Sequence, residues 1–174
     1  MEIYLIRHTT PTIAAGICYG QADIEVAESF EEEAKLIQQQ LPEVINIYSS
    51  PLKRCRQLAN HIYPDATITF TDDLKEMHFG EWELQPWDEI PNEPLNIWMK
   101  DFVNVRIPGG ENYLDLFNRT ISFYNQIISK NQSAAIFTHS GNIRSILSYV
   151  NKVPLEESFS KFKIGYGEVL KVIG

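Results

Sequence analysis

The sequence predicts an α/β fold of three layers, α/β/α, with a mostly parallel central sheet. Short apolar or β-branched runs alternate with segments whose apolar residues recur at spacings of three and four. Strands that alternate with helices are typical of parallel sheets covered by helices on both faces. A length of 174 residues with 44% hydrophobic content suffices for one buried core. We therefore expect one domain that spans residues 1–174.

The first strand is an apolar run at the N-terminus that stops at Arg7 and His8. A helix is predicted from about Glu28 to Leu41, because its apolar residues share one face and its acidic first turn suits the helix dipole. Pro42 follows directly and ends this helix. The segment EVINIYSS then predicts the second strand.

The second helix is predicted in SPLKRCRQLANHIY, with Ser50 as its N-cap and Pro51 at the first helical position. Its predicted inward face consists of Leu52, Cys55, Ala59 and Ile62. ATITF follows as a third, β-branched strand. Beyond it, the Pro- and Trp-rich segment 79–108 is the least regular part of the chain, and we expect it to form a cap over a site.

The next helix has the strongest helical pattern of the chain. Its apolar residues are expected to face the core and are Leu114, Phe117, Ile121, Tyr124 and Ile128. SAAIFTH predicts a strand that ends in His139, and SGNIRSILSYV predicts a helix with Ile143, Leu147 and Val150 at helical spacing. FKIGYGEVLKVIG predicts a hairpin or a pair of short strands around its glycines.

Composition excludes several classes of partner and cofactor. A net charge of -8 and a pI near 5.0 argue against a nucleic acid or an anionic membrane as partner, since both favour clustered Lys and Arg. The two cysteines form no CxxC pair, which predicts neither a disulfide framework nor a metal site. No apolar run is long enough for a membrane span or a signal peptide. We therefore expect a cytoplasmic protein. Because the net charge is negative, an anionic ligand would require a local basic pocket.

Two of the predicted strands end in histidine, at Arg7-His8 and at His139. In open α/β sheets, ligands bind beyond the carboxyl ends of the strands. Either histidine alone fits a structural role, but two of them at one sheet edge favour a site. The helix that starts at Ser50 would direct its N–H groups and Arg54 to the same edge.

A carboxyl group completes the set of candidate residues. Glu76 lies in LKEMHFGEWE among apolar neighbours, and such surroundings favour the protonated form that a general acid requires. Taken alone, Glu76 also fits an ordinary loop carboxylate, and Arg54 also fits a surface charge.

Five motifs in this order resemble the histidine phosphatase superfamily, also called the phosphoglycerate mutase-like family. They are the RH pair at Arg7-His8, SPLKR from Ser50, LKEMHFGEWE from Leu74, PGGE from Pro108 and THSG from Thr138. The resemblance covers nearly the whole chain. It implies a phosphoglycerate mutase-like fold over residues 1–174 and a metal-free phosphatase reaction through a phosphohistidine, with no cofactor and a small phosphomonoester as substrate.

The resemblance also implies residue roles. His8 matches the nucleophile, Glu76 matches the proton donor, and the phosphate pocket is matched by Arg7, Arg54 and His139. Gln21 in YGQAD is a further candidate for a phosphate or substrate contact. Ser140 stands where the family usually has glycine, and it would either add a hydroxyl near the phosphate or crowd the loop. Leu84 stands where WEG is common.

These residue types suit phosphoryl transfer. An imidazole attacks only when it is unprotonated, and we expect neighbouring cations to disfavour imidazolium at His8 and a backbone carbonyl to hold its second ring nitrogen. Arg7 and Arg54 offer planar guanidinium groups for bidentate phosphate contacts. His139, protonated when phosphate is bound, would stabilise charge on the transferred group.

Finer features resemble the alpha-ribazole-5'-phosphate phosphatases of cobalamin nucleotide-loop assembly. These features are GICYGQADIEV and FGEWELQPWDEIP, with Tyr19, Trp87 and Trp98 as candidate apolar walls for an aromatic base. A phosphoglycerate mutase or a broad sugar-phosphate phosphatase would use the same core residues, although mutases carry longer insertions. A phosphohistidine protein phosphatase usually lacks the proton-donor segment, and a non-catalytic phosphate-binding module would have lost one of the five core residues.

Overall fold

A mostly parallel sheet forms the centre of the fold. The structure, a computed structural model, describes residues 1–43 and 46–173. The strands are β1 (Glu2–Arg7), β2 (Asn46–Ser49), β3 (Ile68–Phe70), β4 (Ala134–Thr138) and β5 (Val169–Ile173). They lie in the order β3-β2-β4-β1-β5, and β5 alone of these strands runs antiparallel to its neighbour. The predicted mostly parallel sheet is confirmed, while Val44 and Ile45 of the EVINIYSS segment lie outside the described residues.

Helices cover both faces of this sheet. They are α1 (Phe30–Gln38), α2 (Lys53–Ile62), α3 (Asn92–Lys100), α4 (Tyr113–Ser129), α5 (Ser140–Asn151) and α6 (Ser158–Lys161). Single 3₁₀ turns occur at Asp72–Leu74, Gly80–Trp82 and Leu155–Glu157. The three layers predicted from the sequence are therefore present.

Strand β1 shows how the layers are joined. Successive side chains of a strand point to opposite faces, so a strand between two helical layers is apolar at every position. Ile3 and Leu5 pack in one buried cluster with residues of α4 and α5. Tyr4 and Ile6 pack in a second cluster with residues of α1 and α2. The strand is thereby fixed from both sides, which holds its carboxyl end in a defined place.

The predicted inward face of α4 is confirmed except at Leu114: Ile121 and Tyr124 are buried, and Phe117 and Ile128 are partly buried against the core. Leu114 is 37% exposed, and the first buried side chains of the helix are instead those of Tyr113 and Leu116. A capping box sets the start of the helix, because Asn112 accepts from the Asp115 N–H and the Asp115 carboxylate accepts from the Asn112 N–H. Spacing therefore identified most of the buried face and missed the start of the helix, where Tyr113 and Leu116 are buried.

Helix α2 begins later than predicted, and Ser50 is not its N-cap. The helix starts at Lys53, whose N–H donates to Asp23 Oδ1 at 2.6 Å from a separate loop. Ser50 Oγ instead accepts from the Leu52 N–H at 3.3 Å and lies 2.9 Å from Nε2 of His139. The Ser50 side chain therefore lies at the sheet edge next to His139 and does not cap the helix. Pro51 precedes the helix.

The C-terminal segment forms one strand and not the predicted hairpin. Strand β5 pairs with β1, and the residues around Gly165 and Gly167 form a turn before it. This turn is tied to the end of β1, because the Gly167 N–H donates to the His8 carbonyl and the Arg7 N–H donates to the Glu168 carbonyl, each at 3.0 Å. Strand β5 therefore covers the edge of β1, which a hairpin separate from the sheet would leave open.

Segment 79–108 is more ordered than its sequence predicts. It contains α3 and contributes most of an apolar cluster around Trp82, Ile90 and Ile107. Trp87 and Trp98 are stacked, with ring centroids 6.2 Å apart. Leu84 adopts a left-handed φ of 64° and is 57% exposed, and glycine would adopt this conformation with less strain.

Candidate active site

The carboxyl ends of β1 and β4 bring the two predicted histidines together. The His8 N–H donates to the Thr138 carbonyl at 3.2 Å, which continues the parallel pairing one residue beyond β1. The rings of His8 and His139 have centroids 5.2 Å apart, and both residues are buried. The juxtaposition predicted from the two strand ends is present in the structure.

The His8 ring is held in one orientation. Nδ1 lies 2.7 Å from the carbonyl oxygen of Thr9, so Nδ1 carries the proton and donates, as the sequence analysis expected of a backbone carbonyl. Nε2 then keeps its lone pair and accepts from Arg54 Nε at 3.3 Å. Burial, followed by the positive charges of Arg54 and Arg7, lowers the pKa of His8 well below its usual value. The neutral imidazole is the form with a nucleophilic nitrogen.

His139 is neutral for the same reasons. Burial and the charge of Arg54 lower the pKa of His139 well below its usual value, with a smaller contribution from His8. Its Nε2 lies 2.9 Å from Ser50 Oγ and 3.5 Å from Cys55 Sγ. Protonation of His139 would therefore require a negative charge to enter the site.

The neutrality of both buried histidines predicts a loss of stability in mild acid. An unfolded histidine takes up a proton near about pH 6.5, whereas His8 and His139 have lowered pKa values in the folded protein. The unfolded state then binds more protons below that pH, so the free energy of unfolding falls as pH falls, with a slope of up to about 1.4 kcal/mol per pH unit for each histidine. Urea denaturation between about pH 7 and pH 5.5 measures the slope. His139→Gln should reduce it, and an unfolding free energy that stays constant over this range would contradict the prediction.

The two predicted arginines differ in their contacts. Arg54 is fully buried, and its Nη1 and Nη2 donate to the carbonyls of Ala22, at 2.9 Å, and Gly20. Arg7 Nη1 donates to the Ile164 carbonyl at 2.6 Å. Arg7 Nε is buried and has no hydrogen-bond partner within residues 1–43 and 46–173. An anionic ligand in the cavity would supply the missing acceptor for this guanidinium donor.

The Glu83 carboxylate organises the loop that holds Arg54. It accepts from the backbone N–H groups of four residues, Gly20, Gln21, Ala22 and Phe79, at 2.8–3.2 Å. These four hydrogen bonds fix the backbone of the loop. The fixed backbone includes the carbonyls of Gly20 and Ala22, which accept hydrogen bonds from Arg54. Sequence reasoning placed Glu83 in a motif but assigned it no role, because its partners lie more than 60 residues earlier in the chain for three of these bonds.

Glu76 lies beside the start of α5. Its Oε1 accepts from the Met77 N–H at 2.9 Å, and its Oε2 accepts from the Gly141 N–H at 3.1 Å and from Ser140 Oγ at 3.3 Å. A Cβ atom at Gly141 would lie 2.2 Å from Glu76 Oε1, so a side chain at this position would displace the Glu76 carboxylate. Arg119 holds the loop that carries Glu76, because it donates to the carbonyl oxygens of Lys75 and Glu76 and forms an ion pair with Glu111. Sequence reasoning missed Arg119.

Gln21 supports the same loop. Its amide Nε2 donates to the Glu76 carbonyl at 3.0 Å. Gln21 is not among the residues that line the cavity next to His8 and Glu76. The structure therefore gives Gln21 a contact with the backbone of Glu76, whereas Ser140 lines the cavity directly.

A cavity of about 290 Å³ opens over these groups. Its polar lining includes Arg7, His8, Arg54, Glu76 and Ser140, and its aromatic lining includes Tyr19, Phe79, Trp87, Tyr113, Phe159 and Tyr166. Of the three candidate aromatic walls, Tyr19 and Trp87 reach the cavity, while Trp98 packs behind Trp87. Arg144 also lines the cavity and stacks on Phe159, a contact between α5 and α6 that helical spacing does not reveal.

Among residues 1–43 and 46–173, no group of three His, Cys, Asp or Glu side chains is arranged to hold a metal ion. None of the helices in this part of the chain has the length and apolar character that crossing a bilayer demands.

Comparison with known proteins gives a consistent result. Residues 3–173 match the sequence profile of the histidine phosphatase superfamily (branch 1). The chain is 24% identical over 164 residues to adenosylcobalamin/alpha-ribazole phosphatase from Salmonella typhimurium strain LT2, covering 88% of this chain and 81% of the relative.

Solved structures show the same fold. The alpha-ribazole phosphatase from Shigella flexneri superposes with a TM-score of 0.89 at 22% identity, covering 98% of this chain and 89% of that one. The mycobacterial glucosyl-3-phosphoglycerate phosphatase gives a TM-score of 0.85 at 18% identity, covering 98% and 88%.

Proposed function

The chain belongs to the histidine phosphatase superfamily, and from this premise we propose that it is a phosphomonoesterase that transfers the phosphoryl group to His8. The observation that carries the proposal is the state of the His8 ring. Its Nδ1 is held by the Thr9 carbonyl, and its Nε2 keeps a lone pair beside the guanidinium of Arg54. A fixed, neutral imidazole surrounded by cations is what an in-line attack on a phosphate ester requires.

The first step forms a phosphohistidine. The hydrogen bond of the Arg54 Nε–H moves from His8 Nε2 to a phosphate oxygen as the substrate binds; the freed Nε2 lone pair then attacks phosphorus and forms an N–P bond while the P–O bond to the leaving group breaks. Arg7 and Arg54 stabilise the charge on the non-bridging oxygens, and no metal ion enters the step. Glu76 supplies the proton that the departing alkoxide takes up.

The second step regenerates the enzyme. Water attacks phosphorus, the N–P bond breaks, and the electron pair returns to His8 Nε2. The Glu76 carboxylate takes the proton from the attacking water and is again ready to act as an acid. His139 becomes protonated only while phosphate occupies the site, and its charge then stabilises the transferred group.

We propose alpha-ribazole 5'-phosphate as the substrate. Support comes from the aromatic lining of the cavity, which suits a planar base beyond the phosphate, and from the likeness to the Salmonella relative. The phosphate pocket serves every candidate equally, so discrimination must come from contacts with the leaving group. Segment 79–108, which contributes Phe79 and Trp87 to the wall, is proposed as a cap. A cytoplasmic location is supported by the free thiols of Cys18 and Cys55.

A substrate panel tests this assignment. We expect kcat/KM for alpha-ribazole 5'-phosphate to exceed that for 3-phosphoglycerate by about 10²-fold, because burial of the base adds a few kcal/mol of binding in the transition state. Ribose 5-phosphate is the matched control, since it has the same type of ester but no base. Fructose 2,6-bisphosphate and a phosphohistidine peptide complete the panel. If 3-phosphoglycerate or the bisphosphate is the better substrate, the ribazole assignment is wrong and a mutase or a sugar-phosphate phosphatase replaces it.

A further inference from the structure

Two tyrosine hydroxyls meet at the mouth of the cavity. The hydroxyl oxygens of Tyr19 and Tyr166 lie 2.7 Å apart, and both rings line the cavity. The two residues are 147 positions apart in the sequence, so this bond joins the loop before Gly20 to the turn before β5. Sequence reasoning considered Tyr19 only as an apolar wall and did not single out Tyr166.

Each ring also lies close to one of the two phosphate-pocket arginines. The Arg7 guanidinium carbon is 3.9 Å from the centroid of the Tyr166 ring, which is the distance of a close cation–π contact. The Arg54 guanidinium carbon is 5.5 Å from the centroid of the Tyr19 ring. The hydroxyl bond therefore completes a chain of contacts from Arg7 through both tyrosines to Arg54.

Arg7 depends on this chain more than Arg54 does. Arg54 is buried and held by two carbonyls, whereas within residues 1–43 and 46–173 the Arg7 side chain has one hydrogen bond, to the Ile164 carbonyl, and its Nε has no partner. The Tyr166 ring is therefore a second contact of the Arg7 guanidinium. Tyr166 itself is 41% exposed, and Gly167 after it has a left-handed φ of 66°. The backbone of this turn is tied to the end of β1, but the Tyr166 side chain is exposed, so the hydroxyl bond to Tyr19 adds a restraint on the ring.

We propose that Tyr19 and Tyr166 are positioning residues whose hydroxyl bond braces Arg7 and Arg54 for phosphate binding. The proposal rests on the proposed function, since it takes the two arginines as the phosphate pocket. Fixing the guanidinium groups before the ligand arrives removes an ordering cost from binding, so phosphate affinity depends on the brace. The effect applies to the phosphate group and is the same whatever leaving group is attached.

A double-mutant cycle tests the brace. Tyr19→Phe and Tyr166→Phe each remove a hydroxyl and keep the ring, and calorimetry measures the Kd of inorganic phosphate for each variant. We expect each single variant to bind phosphate about 5-fold more weakly, and the double variant to show the same loss, about 5-fold, because both changes break one bond. Tyr166→Leu, which also removes the ring from Arg7, should weaken binding by about 20-fold.

The matched control is Tyr63→Phe, which removes a hydroxyl that donates to the Pro42 carbonyl and does not line the cavity. It should leave the phosphate Kd unchanged. Losses that multiply to about 25-fold in the double variant would show that the hydroxyls act independently and would overturn the brace. Single Phe variants with the wild-type Kd would overturn it as well. Turnover of p-nitrophenyl phosphate by the wild-type protein, measured beside the Kd, shows separately whether the proposed function stands.

Discussion

His8→Ala is expected to lower kcat for p-nitrophenyl phosphate by about 10³-fold or more, to the background rate. The reason is that the proposed reaction forms a bond to Nε2 of His8, and water in the vacated space has no comparable nucleophilicity or fixed position. Inorganic phosphate should still bind, since Arg7 and Arg54 remain. Initial rates over a range of substrate concentrations measure the loss.

A second histidine provides the control. His61 lies on the surface of α2 and pairs with Glu31 away from the cavity, so His61→Ala should retain wild-type rates. Thermal unfolding of both variants shows whether the fold is intact. A His8→Ala variant that keeps more than about a tenth of the wild-type kcat would mean that another group attacks phosphorus.

Glu76→Gln is expected to slow an alkyl phosphate by about 10²-fold or more and p-nitrophenyl phosphate much less. An alkoxide needs a proton as it leaves, whereas p-nitrophenolate is stable without one. The glutamine keeps the size of the side chain but cannot give or take the proton. The ratio of the two kcat/KM values, compared between variant and wild type, isolates the proton transfer from any change in binding.

Glu81→Gln is the matched control, because Glu81 is an exposed carboxylate in the same segment. It should leave the ratio unchanged. Equal losses for both substrates in Glu76→Gln would make Glu76 a structural or binding residue, a role consistent with its bonds to the Met77 and Gly141 N–H groups.

The sequence predicted the parts of the fold and site that depend on local patterns. Strand β1 is apolar on both faces and ends at Arg7, and β4 ends one residue before His139, so the meeting of the two histidines follows from parallel pairing. The alternation of strands and helices is also a local pattern of the sequence, and it predicted the three layers.

Features that depend on distant contacts were not predictable. Helix α2 is capped by Asp23 from another loop, so the local Ser-Pro signal at Ser50 was misleading. Glu83 acts on a loop more than 60 residues earlier in the chain, and its motif gives no indication of these partners. The capping box sets the start of α4, and the burial of Tyr113 and Leu116 in its first turns, with Leu114 exposed, depends on the distant apolar cluster in which they pack.

The covalent intermediate is the central claim, and rapid-quench trapping tests it most directly. Brief mixing with ³²P-labelled substrate, followed by an alkaline quench and peptide mapping, should give a labelled peptide that contains His8. The label should survive alkali and be lost in acid, as expected for a phosphorus–nitrogen bond, and it should be absent from His8→Ala. A label that is stable in acid, or that persists in His8→Ala, would contradict the account.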